Sequence, residues 1–517
     1  MASNPRAAGA ERLAARGPSD RVFRSGQTRF TPPNPKQADL RAIARMAMAK
    51  YGFITAFPPK VMEKADACDP ATPTTNENQV KDLRHLLWSS IDNIDTEDLD
   101  QIEYCERGKS GEIDIKVAIA DVDVYAPKDS VLDRHAGKNT TSVYTGIEIY
   151  PMLPDRLSKN LSSLPMNQDR LAMVIEFSVL PKGSVRAGKV YRALVRNKAK
   201  LVYEQAGAWL ENRGPAPQMV LADPQLETQL RLQDEASQRL GKYRAGQGAL
   251  ELETLKTKAV IQNEKVLGLY VEEEDRAKRI IENFMIGANG VTSGMLEKSG
   301  RPTIQRVVRT PKYWREIVAV ARERQFRLPG RPDASALSRF LDKERKADPQ
   351  RFPDLSLTIV KLLGPGEYVL YDKNKPIGHF CMAVTSYTHS TAPNRRYPDL
   401  IIQRLVKAAL ANASSPYRKD ELSSLAEHCT EREHAAKKVE RFVTKAEGAA
   451  LLTGRIGQTF EAIITGASDK GVYARLTEPP VEGKVMTSPG GIKVGRKVSV
   501  KLVNLDPWHG YVDFVLD

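Results

Sequence analysis

Cysteine is scarce in this sequence. The 517 residues include four cysteines, which lie far apart at Cys68, Cys105, Cys381 and Cys429. No two of them form the CxxC pair of a zinc ribbon, and so few scattered thiols cannot build a disulfide framework for a chain of this length. The sequence therefore excludes the zinc-ribbon and disulfide-scaffold classes and favours a reducing, cytoplasmic compartment.

Long hydrophobic runs are absent as well. No apolar stretch approaches the ~18 residues of a transmembrane helix, and the arginine-containing N-terminus has no apolar segment of the secretory type. We therefore expect no membrane contact. Hydrophobic residues make up 41% of the chain and charged residues 27%, which is ordinary globular composition. The length predicts three or four domains, and nothing in the sequence demands more than a monomer.

Positive charge is in excess and unevenly distributed. The formal net charge is +14, and residues 1–50 and 301–350 each contribute a local excess of basic side chains. Residues 92–114 have the opposite character, with nine acidic residues against two basic ones. A basic chain with one concentrated acidic segment indicates a polyanionic partner and a cation site. The alternative is that the basic helices are simply solvated faces.

The N-terminal part differs in composition from the rest. Residues 1–35 resemble a disordered basic arm, rich in Ala, Arg, Gly, Pro and Ser. Residues 36–66 predict two short helices, separated by a break at 51–53. With the linker at 69–79, residues 36–80 form a small helical module for which we consider two interpretations. It is a helix-turn-helix unit that binds nucleic acid, as the adjacent basic arm favours, or it is plain packing.

The central and C-terminal parts predict two further domains of a multidomain α+β protein. Residues 83–450 mix strands, expected at Ile113–Val124, 171–180 and 186–202, with long amphipathic helices, expected around 277–288, 398–410 and 420–452. Residues 455–517 contain short alternating segments and many glycines. About five strands in ~60 residues are typical of a small β-barrel of the OB type.

The acidic segment contains carboxylates at a spacing suited to a metal ion. Asp98 and Asp100 are two residues apart and point to the same side of an extended chain, and Asp92 can return to them through a turn. Clustered carboxylates repel one another unless a cation neutralises them. Oxygen ligands suit Mg²⁺ or Mn²⁺, and on a polyanion-binding protein such a site indicates phosphodiester hydrolysis. The alternative is a solvated acidic loop.

A second segment, YTHSTAPNRRYPD, places two arginines before a helix. Pro393 and Pro398 stiffen the loop, and the helix begins near Pro398. Two guanidinium groups beside a helix N-terminus favour phosphate binding. Arg395 is our choice for the phosphate contact, since Arg396 is close enough in sequence to pair with Asp399. The alternative is that both arginines only stabilise the capped helix.

Five segments together resemble the RNB family of exoribonucleases, which includes ribonuclease II and ribonuclease R. Their order along the chain matches the family's pattern from about residue 83 to 450. The segments are IDNIDTEDLDQ, VAIADVDVYAPKDSVLDRHAGKNTTSVY, YPMLPDRLSKNLSSLPMNQDRLA, IIENFMIGAN and YTHSTAPNRRYPDLIIQRLV. The C-terminal residues resemble the S1-type OB fold that ends these enzymes. The resemblance implies a central mixed α/β RNB catalytic domain and a C-terminal S1-type barrel, which follow the small helical module that the residue pattern predicts at the N-terminus.

The resemblance also implies an activity. It is processive 3′→5′ hydrolysis of single-stranded RNA to nucleoside 5′-monophosphates, with one or two Mg²⁺ ions, or Mn²⁺, as cofactor. A structured RNA with a 3′ overhang is a further expected substrate. The family's acidic positions fall on Asp92, Asp98, Asp100 and Gln101. The first three are expected to be both catalytic residues and metal ligands, and Gln101 a metal ligand.

The expected RNA contacts follow from the same resemblance. Arg395 corresponds to the catalytic arginine at the scissile phosphate, and Tyr144 to the aromatic residue that stacks on the terminal nucleotide. Glu440 corresponds to a glutamate at the 3′-terminal ribose. Arg396 and Tyr473 complete the expected RNA-binding residues.

The sequence departs from the family pattern in three places. The fourth acidic position is the neutral Gln101, which removes one charge from the second metal's ligands. Asp95 or Glu103 is able to replace that charge. Glu103 shares a strand face with Gln101 only if the strand is regular. Ser390 and Asn394 replace an aromatic and an aliphatic residue beside the arginines. The cold-shock domains that precede the nuclease in the family are absent from this sequence.

The missing carboxylate leaves a second interpretation of the function open. A catalytically impaired RNA-binding or regulatory protein would retain the RNB fold but lose turnover. A DNA exonuclease and a scaffold protein are further alternatives, of which the scaffold requires both charged segments to be coincidental.

Overall fold

The structure is a computed structural model that describes residues 38–70, 80–253, 255–262, 265–468, 471–486, 492 and 494–517. The basic arm predicted for residues 1–35 and most of the predicted linker lie outside these residues. Asp39–Asp517 form one unit, and all the elements below belong to it.

Runs of helices and runs of strands follow one another along the described chain. The helices are α1 (Leu40–Lys50), α2 (Pro59–Asp66), α3 (Val131–Asn139), α4 (Tyr203–Leu210), α5 (Gln218–Ala222), α6 (Pro224–Gly246), α7 (Arg276–Lys298), α8 (Trp314–Glu323), α9 (Ala334–Ala347), α10 (Phe352–Leu363), α11 (Tyr397–Leu410) and α12 (Lys419–Leu451). The strands are β1 (Lys81–Asp82), β2 (Trp88–Asp92), β3 (Gln101–Arg107), β4 (Ile113–Ala120), β5 (Val143–Tyr144), β6 (Ile149–Tyr150), β7 (Asp169–Val179), β8 (Val185–Val202), β9 (Lys256–Gln262), β10 (Lys265–Glu272), β11 (Ile304–Val307), β12 (Glu367–Leu370), β13 (Thr459–Ser468), β14 (Gly471–Leu476), β15 (Glu482–Val485), β16 (Lys497–Asp506) and β17 (Tyr511–Leu516).

The two predicted N-terminal helices are present. Asp39 caps α1 by accepting a hydrogen bond from the backbone of Ala42, as short polar side chains do at helix N-termini. The helix ends before Gly52, whose φ of +73° is a conformation that favours glycine. Pro59 then occupies the first position of α2, where its missing N–H has no cost.

Both helices bury their apolar faces against the central region, residues 83–450. Met48 of α1 joins a buried cluster with Val439 and Val443 of α12, whereas α2 contacts α3 and contributes Val61 to the main core. Each helix packs on a different element of the central region, so the structure shows that both helices contribute to the packing of the core. Binding of nucleic acid by a helix-turn-helix stays a prediction.

A six-stranded sheet forms the centre of the central region, with strand order β1-β8-β2-β3-β4-β7. The first part of the long strand β8 pairs antiparallel with β7, and its last residues pair parallel with β2. Since β7 also pairs with β4, the sheet returns on itself. The strands predicted at 171–180 and 186–202 are confirmed as β7 and β8.

The strand predicted for Ile113–Val124 is too long. The extended chain ends at Ala120, and a short 3₁₀ turn covers Val122–Val124. The alternation of polar and apolar residues continues in the sequence past Ala120 because the carboxylates of Asp121 and Asp123 face positively charged side chains rather than water. Lys407 of α11 lies 2.9 Å from Asp121 and 3.0 Å from Asp123.

The predicted long helices are confirmed as α7, α11 and α12. They pack with the sheet into the main hydrophobic core, while α8, α9 and α10 form a separate cluster around Trp314, Phe340 and Phe352. In the described residues, no helix is long and apolar enough to cross a membrane.

The C-terminal barrel is closed, with strand order β13-β14-β15-β17-β16, which confirms the predicted five-stranded OB-type domain. Alternate residues such as Phe460, Ile464 and Phe514 fill its interior. An ion pair of 2.9 Å between Arg475 of β14 and Asp354 of α10 connects the barrel to the central region.

Candidate active site

The predicted acidic residues meet where two neighbouring strands end. Asp92 is the last residue of β2 and Asp100 directly precedes β3. These strands are antiparallel, so the end of one lies beside the start of the other. Asp98 belongs to the loop between them. All three line a cavity of about 280 Å³ together with Asn93, Thr96, Gln101, Tyr144, Tyr203, Ile281, Met285, Thr391 and Arg395.

Arg395 reaches the carboxylates from a distant part of the sequence. Its Nε donates to Asp100 Oδ2 at 2.7 Å, a contact between residues 295 positions apart. The Asp100 side chain is 2% exposed, while that of Arg395 is 40% exposed. A guanidinium has five N–H donors, so the contact with Asp100 fixes Arg395 and leaves donors for a second anion.

Buried hydrogen bonds hold the arginine loop in place. Asp399 Oδ1 accepts from the backbone N–H groups of Thr391 and Ala392, each at 2.9 Å. The two residues that depart from the family pattern are also bonded. Ser390 N donates to Asn289 Oδ1 at 2.7 Å, and Asn394 Nδ2 donates to the Ser158 carbonyl at 2.6 Å. Polar residues therefore anchor this loop.

Arg396 forms the ion pair that its position in the sequence allows. Its NH2 group lies 2.7 Å from Oδ1 of Asp399, whose side chain is fully buried. Arg396 does not line the cavity. A direct contact of Arg396 with RNA stays a prediction.

Tyr144 stands at the opening of the cavity. Its side chain is partly exposed, and its hydroxyl donates to Asp98 Oδ2 at 3.2 Å. Glu440 of α12 lies beside the Tyr144 backbone but does not line the cavity. Burial raises the pKa of Glu440, and a hydrogen bond from the Tyr144 backbone opposes that rise. The structure therefore brings Glu440 next to Tyr144, although no periodic signal in the sequence linked them.

Tyr473 lies elsewhere. It is a half-buried residue of β14 in the barrel, with Lys484 opposite it on β15, and it does not line the cavity. Its contact with RNA stays a prediction.

Burial and mutual repulsion disfavour the charged forms of the carboxylates. Burial, and after it the Asp100 carboxylate, raises the pKa of Asp92 to about 7, while Lys200 opposes the rise. Burial also raises the pKa of Asp100 to about 6 against the opposing effect of Arg395. Perturbed acids in a cleft are typical of functional sites.

The carboxylates fit a hard divalent cation. Within the described residues, Asp92 Oδ2 and Asp100 Oδ1 are buried without a hydrogen-bond partner. No three acidic, His or Cys side chains of the described part form a complete ligand group. A cation at this site would therefore take at most two of these carboxylates directly, which Mg²⁺ tolerates because water and substrate phosphate complete its shell.

Gln101, at the fourth acidic position, and Glu103, two residues later, differ in charge and exposure. Gln101 lines the cavity with a neutral amide. Glu103 follows two residues later on β3 and is fully buried. Burial, and after it the Asp92 carboxylate, raises the pKa of Glu103 well above its usual value.

The sequence did not indicate several residues that line the cavity. Tyr203 begins α4, and Ile281 and Met285 belong to the apolar stripe of α7, which predicts only packing. Their position at the site depends on how the helices dock against the sheet, and local patterns do not carry that information.

Comparisons with known proteins agree with this architecture. The family profile of the RNB domain matches residues 80–412, and that of the RNase II-type exonuclease C-terminal S1 domain matches residues 458–517. Ribonuclease R 1 of Lactococcus lactis is 28% identical over 522 residues, covering 92% of this chain and 61% of the relative. The chain thus spans about three fifths of that relative's length.

Solved structures share the fold at low sequence identity. Mycoplasma genitalium RNase R in complex with ribose methylated single-stranded RNA has a TM-score of 0.84 at 24% identity, covering 93% of this chain and 78% of that one. The same enzyme in complex with double-stranded RNA has a TM-score of 0.83 at 24% identity, covering 93% of this chain and 83% of that one. Yeast Ssd1, a pseudonuclease, has a TM-score of 0.69 at 14% identity, covering 86% of this chain and 55% of that one. With the RNB profile matching well over half of its residues, this chain belongs to the RNB family.

Proposed function

We propose that this protein is a processive 3′→5′ exoribonuclease that hydrolyses single-stranded RNA to nucleoside 5′-monophosphates with Mg²⁺. One observation carries the proposal: Arg395 and Asp100 meet in a cavity lined by Asp92, Asp98 and Tyr144. Membership of the RNB family and the ribonuclease R relatives support it.

The cavity offers complementary contacts to the end of an RNA strand. Tyr144 presents an aromatic ring at the opening, on which a base stacks whatever its identity. Glu440, which accepts a hydrogen bond from the Tyr144 backbone, is the acceptor that we assign to the hydroxyls of the last ribose. A 2′-OH contact of this kind distinguishes RNA from DNA.

In the proposed reaction, the oxygen of one water attacks the phosphorus of the last phosphodiester. The 3′-oxygen of the preceding nucleotide leaves with a proton from that water, so the released nucleotide keeps a 5′-phosphate. Arg395 donates to a non-bridging phosphate oxygen and stabilises the negative charge that develops there. Its contact with Asp100 orients the guanidinium before the substrate arrives.

We propose that the cation binds directly at Asp92 and Asp100, with Asp98 and the neutral Gln101 close by in the same cavity. Mg²⁺ bound there would supply positive charge close to the attacked phosphate and the leaving oxygen. The two buried, unpartnered carboxylate oxygens support this assignment.

Single-stranded RNA and duplex RNA with a 3′ overhang are the proposed substrates. The net charge of +14 favours a polyanion, and structures of the Mycoplasma enzyme contain single-stranded and double-stranded RNA. The closed barrel supports the proposal, because OB folds bind single strands with aromatic and basic residues.

A second candidate function is RNA binding without turnover. Gln101 favours it, since the site lacks one expected carboxylate at this position. The resemblance of the fold to yeast Ssd1, a pseudonuclease, shows that this architecture occurs without nuclease activity.

Shortening of 5′-labelled RNA separates these candidates. Single-stranded RNA, a duplex with a 3′ overhang and a DNA oligomer of the same sequence are incubated with the protein and Mg²⁺. We expect both RNAs to be shortened from the 3′ end to short 5′-labelled products with few intermediates, as a processive enzyme produces, and little change in the DNA. Tight binding with no shortening, even with Mn²⁺, would establish the RNA-binding alternative, and equal loss of the DNA would establish a general exonuclease.

A further inference from the structure

The hairpin of β9 and β10 has two faces with different surroundings. One face carries three cross-strand pairs in unbroken register, which are Lys256 with Glu272, Lys258 with Tyr270, and Val260 with Gly268. Alternate residues of a strand point to the same side, and so do residues directly opposite each other. Leu269 lies on the other face and packs against the hydrophobic core of the C-terminal barrel. The barrel therefore covers one face of the hairpin and leaves the face with Tyr270 open.

The open face of the hairpin adjoins the active site. Its first pair, Lys256 and Glu272, lines a second cavity of about 570 Å³. Three residues line both this second cavity and the active-site cavity, namely Asn93, Tyr203 and Ile281. The two cavities are therefore neighbours, and Tyr270 and Lys258 form the next pair along the face that borders them.

The charges on this face are mainly basic. Glu272 is shared between two lysines, with its Oε1 at 2.8 Å from Lys258 Nζ and 3.3 Å from Lys278 Nζ. Burial opposes the charged form of Lys258, but Glu272, with smaller contributions from Tyr270 and Asp95, outweighs it and raises the pKa of Lys258. Asp95 belongs to the loop between β2 and β3, which lines the active-site cavity. Lys258 is thus a cation close to the active-site loop.

The Tyr270 side chain is exposed and has open space beside it. Its exposure is 48%, and that of Val260 on the same face is 46%. A side chain at Gly268, between them on this face, would meet nothing within 4 Å among the described residues. A single exposed aromatic residue needs no explanation by itself. Here the exposed ring lies opposite a lysine and beside the active site, and aromatic rings with basic groups are what hold single-stranded nucleic acids.

We propose that Tyr270 and Lys258 form a second contact for single-stranded RNA, in which a base stacks on the Tyr270 ring and a phosphate approaches Lys258. Because Tyr144 is assigned to the terminal base, Tyr270 is assigned to a base further from the 3′ end. Stacking tolerates every base, so this contact persists as each terminal nucleotide is removed and the strand advances. The inference rests on the proposed function, which makes single-stranded RNA the ligand of the active site.

RNA binding to the full chain in EDTA tests the inference. A single-stranded RNA carries 2-aminopurine, a fluorescent base that is quenched when it stacks, either at its 3′ end or at one internal position after another. The variants are Tyr270→Ala and Tyr270→Phe, of which the second keeps the ring. Tyr313→Ala is the matched control, because Tyr313 is also an exposed tyrosine but lines neither cavity. Melting temperatures establish that each variant folds.

We expect Tyr270→Ala to weaken RNA binding by about 5- to 100-fold, as loss of one base–aromatic stack does. Tyr270→Phe and Tyr313→Ala are expected to bind RNA as the wild type does. At an internal position, the quenching is expected to disappear in Tyr270→Ala and to remain in Tyr270→Phe, while the terminal base stays quenched in both. Unchanged affinity and quenching in Tyr270→Ala, or an equal loss in Tyr270→Phe, would overturn the proposal.

RNA shortening after addition of Mg²⁺, measured on the same samples, separates this inference from the proposed function. RNA binding that depends on the Tyr270 ring, without RNA shortening, would support the inference and contradict the nuclease. RNA shortening with an affinity that Tyr270→Ala does not change would support the nuclease and contradict the inference. No RNA binding by the wild type would contradict both.

Discussion

The two sides of the cavity, the loop that carries Arg395 and the carboxylates opposite it, differ in how far their polar groups are bonded within the protein. On the arginine side, polar groups are bonded within the protein: Asp399 accepts two backbone N–H groups and pairs with Arg396. On the carboxylate side, Asp92, Asp100 and Glu103 have buried oxygens without partners among the described residues. The arginine loop is therefore held by bonds within the protein, although Arg396 Nε and Asp399 Oδ2 are also buried without partners among the described residues. The carboxylate side is paired with Arg395 only through Asp100 Oδ2 and keeps more unpartnered oxygens, whose charge a bound cation would neutralise. The difference indicates where the protein supplies geometry and where the cation must.

Asp100→Asn tests the carboxylate side most severely. The change removes charge from the group that joins both sides, so we expect turnover to fall to background. RNA affinity is expected to stay near that of the wild type, because the proposed contacts with Tyr144 and with the barrel remain. Gel-shift binding and RNA shortening, measured on one preparation, check both statements. Near-normal turnover would show that the site is assigned to the wrong residues.

Arg395→Ala tests the arginine side. If the guanidinium stabilises charge that develops during the reaction, its loss raises the barrier by about 2–4 kcal/mol and changes RNA affinity far less. Single-turnover rates and dissociation constants separate the two effects. Equal losses in rate and affinity would mean that Arg395 is only an anchor for the substrate.

Asp399→Asn tests whether the arginine loop is held by its buried ion pair. The substitution leaves Arg396 without its charged partner, and we expect the free energy of unfolding to fall by about 3 kcal/mol. Urea denaturation measures the change. Asp420→Asn is the control, because the Asp420–Arg418 pair is exposed on both sides and its loss should have no measurable effect. Similar stabilities of the two variants would contradict the account of the loop.

The smallest expected effect is a pH dependence of stability in EDTA. The pKa of Asp92 is raised to about 7, while an unfolded aspartate titrates near 3.9. Between about pH 4 and 7 the folded protein keeps a proton that the unfolded chain has released, so stability falls as pH rises through this window. Asp92→Asn is expected to show a smaller fall in melting temperature between pH 5 and 7.5. An equal fall in both proteins would refute this origin.

The sequence predicted the elements and the charged residues of the site well, because both leave local signals. Alternation predicted β7 and β8, the apolar stripe predicted α7, and the family motifs pointed to Asp92, Asp98, Asp100 and Arg395. All four line the cavity, and the roles assigned to them stay predictions.

Contacts between segments that are distant in the chain could not be predicted from the sequence. Alternation continued past the end of β4 because Asp121 pairs with Lys407, 286 positions away. In the same way, Tyr203 reaches the cavity through the docking of α4, and the burial of Glu103 depends on the helices that cover its strand face. A local pattern records which residues alternate, but not whether a given face meets water, a cation or a helix.

The most direct test of the central claim is to measure separately whether RNA binding and RNA shortening require the cation. Protein stripped with EDTA is mixed with 5′-labelled single-stranded RNA, and binding and shortening are followed before and after Mg²⁺ is added. The account predicts that RNA binds without the cation and is shortened from its 3′ end only after Mg²⁺ is added. Shortening at the same rate in EDTA would contradict it.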